Sequence, residues 1–175
     1  MFADLDRLLA AIPADEVAVQ WDVAVEFGVL EEAFAPGGAQ AFDAIIAALA
    51  RCVDQVPAEI PAGLHFCYGD YGHQHFMQPA SLALQVRVLN AVTAAALRLV
   101  NFVSFTVPQY QREESYFAPL AGLTADQVRL IDAALAASPG GPRAWGVCTE
   151  CGMGRVDRVD VPALLDLHRE IIATP

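Results

Sequence analysis

At 175 residues the chain is long enough for one domain with a sizeable core. Its 55% apolar composition and mean hydropathy of +0.39 exclude a disordered tail or a solvated linker. With 21 acids against 10 bases and a net charge of −11, it is poorly suited to nucleic acid or anionic membrane surfaces, which need clustered Lys and Arg.

The opening MFADLDRLLAAIP reads as an amphipathic helix with acids in its first turn, lacking the basic and apolar stretches of a secretion signal. VAVQWDVAV (17–25) then predicts a first strand and AQAFDAIIAALARCVDQV (39–56) a helix, with PGG at 36–38 as punctuation. GLHFCY (63–68) predicts a second strand, and PASLALQVRVLNAVTAAALRL (79–99) the helix after it. VNFVSFTV (100–107) predicts a third strand, followed by TADQVRLIDAALAAS (124–138) with Thr124 as its N-cap. AWGVC (144–148) and VPALLDLHREIIAT (161–174) make a fourth strand–helix pair. The most apolar window, residues 91–107, is interrupted by Arg98 and Asn101 and reads as a buried helix running into a buried strand. The expectation is therefore a soluble, cytoplasmic protein with no membrane span.

Strands alternating with long helices predict βα units around a parallel sheet, about four of them behind a leading helix. A complete (β/α)8 barrel takes roughly 250 residues and gathers its active site at the C-terminal ends of the strands. Asp22, Cys67 and Cys151 all fall at or just past predicted strand ends. Residues 1–175 thus read as a single α/β domain of TIM-barrel type with about half of a (β/α)8 barrel.

The stretch LHFCYGDYGHQHF (64–76) concentrates His65, Cys67, Asp70, His73 and His75. His65 and Cys67 are two apart on a predicted strand, so they project to one face, where an imidazole and a thiolate suit zinc. The plainer reading is a buried imidazole bonded to a backbone carbonyl beside an apolar thiol. Cys148 and Cys151, ending another strand as Cys-x-x-Cys, suit either zinc or redox chemistry. Four cysteines could form two disulfides, but an acidic chain without a secretion signal points to a reducing compartment; Cys52 reads as a small buried residue. Asp70 reads as a turn former, and His73 and His75 as loop residues or catalytic acids. Asp22 reads as a site acid or as the partner of Arg87 or Arg155. Glu26 reads as a solvated loop acid, and Arg155 as an anchor for a substrate carboxylate or a neutraliser of nearby acids.

HFCYG, followed late in the chain by W-x-x-x-x-E-C-G-M-G-R, resembles the C-terminal barrel of cobalamin-independent methionine synthase, and VQWDVAVEF is similar to that family's Gln-x-Asp strand. The resemblance spans residues 17–156, implies that residues 1–175 are the C-terminal half of such a (β/α)8 barrel, and extends in fold to the uroporphyrinogen decarboxylase superfamily. It implies zinc held by His65, Cys67 and Cys151, with Cys148 a further candidate, and methyl or alkyl transfer from a donor onto a small-molecule thiol. It implies that Asp22 contacts the substrate's amino group; Glu26 and Arg155 are further candidate substrate-binding residues. Two positions depart from the family. Thr106 occupies the place of a glutamate ligand, and Phe117 that of an acid-providing histidine, for which His73 or His75 could substitute. A non-catalytic alternative is a half-barrel that pairs as a homodimer or with a separate N-terminal half. A third is a metal-independent lyase of the decarboxylase type.

Overall fold

The computed structural model describes residues 1–69, 74–108, 111–124 and 157–173. Helix α1 (Phe2–Ala11) buries Leu5 against Val56, Ile60 and Ala62, and ends where Ile12 turns extended before Pro13. Strand β1 (Val19–Val23) passes directly into a short helix α2 (Val25–Leu30). The following loop turns on Glu32, whose φ of 56° is left-handed, and on Gly37 at φ 111°. The Glu32 carboxylate accepts the amides of Gly37 and Gly38 at 3.0 and 3.1 Å, capping helix α3 (Gly38–Asp54), where negative charge is favoured.

Strand β2 (Ala62–Phe66) leads to α4 (Ala83–Ala95), which stops earlier than its apolar run suggests because Ala96 is extended. Strand β3 (Phe102–Ser104), helix α5 (Glu114–Phe117) with a 3-10 turn behind it, and a final helix α6 (Val161–Ala173) complete the described chain. The predicted fourth strand and the helix over 124–138 lie, apart from Thr124, outside the described residues.

The fold is mixed α/β, and among the described residues a parallel sheet of three strands in the order β1-β2-β3 does not close. Side chains alternate across it. One face carries Val23, Leu64 and Phe66, packed with Ile46, Leu49 and Val53 of α3 and Val88, Leu89 and Val92 of α4. These helices have apolar residues at helical spacing, which is why they lie on the sheet. The opposite face carries Gln20 and Asp22, both exposed, with Gly63, His65, Phe102 and Ser104. Gly63 lacks a side chain because the Phe102 ring lies over it; a Cβ there would come within 2.2 Å of that ring.

Parallel strands have no hairpin to set their register, so side chains must set it. Asn101 donates its amide to the Ala62 carbonyl at 2.7 Å, and its side-chain oxygen accepts the Ala62 amide at 2.9 Å. Arg98 holds that same oxygen at 3.0 Å while donating to the carbonyls of Val56, Pro57 and Ile60. The arginine that interrupts the apolar window is thus a clamp at the foot of the sheet. Among the described residues no helix is long and apolar enough to cross a membrane.

Because Arg98 satisfies several part-buried carbonyls at once, Arg98→Ala should destabilise the fold by on the order of 3 kcal/mol. Urea unfolding measures this, and a loss below about 0.5 kcal/mol, the range of ordinary surface changes, would show that the clamp is dispensable.

Candidate metal centre

The β-sheet register aligns Asp22 of β1, His65 of β2 and Ser104 of β3 side by side on the open face. Cys67 follows β2 by one residue and continues the ladder, its amide bonded to the Val23 carbonyl at 3.1 Å. Two residues beyond His65, it projects to the same face, but it is buried where His65 is half-buried and Asp22 exposed.

One carboxylate oxygen of Asp22, one ring nitrogen of His65 and the Cys67 Sγ all lie within 4.8 Å of one another. A tetrahedral zinc with bonds of about 2.0–2.3 Å sets neighbouring ligand atoms roughly 3.4–3.7 Å apart. Rotation of the exposed Asp22 side chain can bring its carboxylate closer to the other two donors. Mixed carboxylate, imidazole and thiolate donors suit a borderline-soft divalent ion, so this set could hold one and leave a coordination position open. Among the described residues Asp22 has no ion-pair partner. Arg87 instead stacks on the Phe42 ring, 4.0 Å from its centroid.

His65 bonds a side chain and not a backbone carbonyl: its Nδ1 lies 2.5 Å from Ser104 Oγ. Ser104 is the one member of this row with no counterpart in the sequence reading, which placed the third strand's contribution at Thr106. Thr106 is otherwise engaged. Its hydroxyl donates to the Phe66 carbonyl, and the buried Gln85 amide bonds its backbone N–H and carbonyl at 2.9 and 3.0 Å. Phe117 lies in α5, its ring against Tyr116.

Glu26 faces elsewhere. It lies in α2 near Cys52 of α3, and burial together with the Glu26 carboxylate pushes the Cys52 thiol above its ordinary range. His75 is half-buried with Nδ1 3.3 Å from the Gln78 side-chain oxygen, and it does not belong to the Asp22–His65–Cys67 group. Asp70, His73, Cys148, Cys151 and Arg155 lie outside the described residues. No family model matches the chain, and no match is found among curated proteins or solved structures.

Tyr68 fixes the backbone just past Cys67. Its hydroxyl donates to Glu31 at 2.8 Å, tying the end of β2 to α2, and its ring packs on Phe27 and Phe76. Burial first, and the Glu31 hydrogen bond second, push the Tyr68 phenol far above its ordinary range. An unfolded tyrosine ionises near pH ~10, so the unfolded state sheds this proton first and stability falls as pH rises past about 10. Tyr68→Phe should flatten that alkaline decline in urea midpoints; an equally steep decline in the variant would remove Tyr68 as its cause.

Proposed function

We propose that the chain is a zinc-dependent transferase moving a methyl or alkyl group onto a thiol, on the C-terminal half of a (β/α)8-type barrel. The observation that carries this reading is the convergence of Asp22, His65 and Cys67 at the C-terminal ends of adjacent parallel strands, on the face opposite α3 and α4. The parallel order of the strands and the helices packed on one face agree with a barrel segment.

Zinc at this position would hold an incoming thiol as its thiolate near neutral pH. The residues of the chain supply the rest. His65 and Cys67 fix the ligand geometry from a strand, and Asp22 adds a carboxylate from the exposed side, where substrate arrives. The exposed Phe102 ring lies over Gly63, one row below His65 and Ser104 on the same face, and offers an apolar surface there. In the transfer the thiol proton leaves to solvent, the sulfur–carbon bond forms, and the donor departs with the electron pair of its broken bond to carbon. In-line placement of the two reactants is what a rigid strand-end site contributes.

A second reading follows from the exposed Asp22 face. This half-barrel could complete its site by pairing with a second copy or a separate N-terminal half.

Purified chain should retain roughly one zinc, as a single mononuclear site requires. Elemental analysis should find Cys67→Ser depleted, with Cys151→Ser as a parallel arm for the ligand suggested by the resemblance. Homocysteine alkylation by methyl iodide, a minimal donor, should be faster with zinc-loaded protein than with Cys67→Ser. Full zinc retention in Cys67→Ser would overturn the ligand set. Zinc loss without any thiol alkylation would leave the metal site and remove the transferase.

A further inference from the structure

We infer that Ser104 is a positioning residue for the metal site: by engaging Nδ1 of His65 it reserves Nε2 as the ligand atom. The inference rests on the metal reading above and assigns a role to a residue that reading does not use. A neutral imidazole carries one N–H, and which nitrogen bears it is set by the hydrogen bond the ring makes. His65 Nδ1 lies 2.5 Å from Ser104 Oγ; in the tautomer we assign, Nδ1–H donates to that oxygen and the lone pair stays on Nε2. Metal-binding histidines use their second nitrogen in this way, and the partner both fixes the ring and raises its basicity.

Two further observations support the assignment. Ser104 is half-buried on the face opposite the one that packs on α3 and α4, so its hydroxyl lies outside that core. The register also brackets His65, with Ser104 on one neighbouring strand and Asp22 on the other.

The order Asp22, His65, Ser104 across the sheet raises the possibility of a nucleophilic serine triad. There, however, the histidine meets the serine through Nε2 and the acid through Nδ1–H. Here Nδ1 faces the serine, which is the reverse arrangement and the one a metal ligand needs.

The test uses the whole chain. Long-range ¹H–¹⁵N spectra of the metal-free protein should show His65 in the Nδ1–H tautomer, and Ser104→Ala should mix the tautomers without unfolding the chain. Chelator competition should show zinc affinity falling roughly 10- to 100-fold in Ser104→Ala, with Ser104→Thr restoring most of it. The cobalt-substituted wild type should show a sulfur-to-metal absorption band that Ser104→Ala shifts. Equal zinc affinity in wild type and Ser104→Ala would overturn the positioning role while leaving the metal site standing. A wild type that binds neither zinc nor cobalt would overturn both. Covalent labelling of Ser104 by a fluorophosphonate would overturn it in favour of the serine nucleophile.

Discussion

The pairing of Asn101 with Ala62 is the interaction on which the sheet and its site depend. A β-strand presents alternate residues to opposite faces, so a slip of one residue would turn every side chain of β3 over. Ser104 would then point into the helices and Phe105 toward the open face. Two hydrogen bonds between Asn101 and Ala62 prevent that slip at the first rung, and Arg98 holds the asparagine oxygen in place. Arg98 in turn grips the loop that delivers β2, through the carbonyls of Val56, Pro57 and Ile60. Three residues along from Asn101, Ser104 consequently meets His65.

The two faces of the sheet divide the work. The helix side holds the apolar core, including the Phe27–Phe66 and Phe27–Tyr68 ring pairs with centroids 5.1 Å apart. Each such pair adds about 0.5–1.5 kcal/mol beyond its buried area. The open side holds polar residues at a density that a buried parallel sheet does not tolerate, because each would need a partner away from water. Asp22, His65 and Ser104 are therefore supported by strands whose stability comes almost wholly from the other face. Functional groups can be placed there without disturbing the packing.

The strands at 17–25, 63–68 and 100–107 were legible as β-branched and aromatic runs, and each forms, though shortened. The shared face of His65 and Cys67 was legible too, since it needs only the two-residue period of a strand. Helix α2 was not, because VAVEFGVL continues the apolar run of β1 without a break, and its six residues are held by tertiary packing of Phe27 and Gly28. Ser104 was missed for a related reason. Local pattern shows which face a residue takes, while its partner depends on the register, which residues 39 positions apart must set through the Asn101 contact. The resemblance made Asp22 a substrate contact; the geometry places its carboxylate among the ligand-type atoms.

Asp22 and Thr106 together bear on what the site can do. The third strand brings no carboxylate to the site, since Thr106 spends its hydroxyl on the Phe66 carbonyl and its backbone on Gln85. The first strand brings one in Asp22. A divalent cation held by one carboxylate, one thiolate and one neutral imidazole carries no net charge. In the proposed transfer, a substrate thiolate at the open position would make the assembly singly negative and leave electron density on sulfur for attack on an alkyl carbon. A site with an extra charged ligand would be more nucleophilic but would bind the thiolate less readily. In the proposed site the carboxylate would therefore come from the exposed first strand and not from the third.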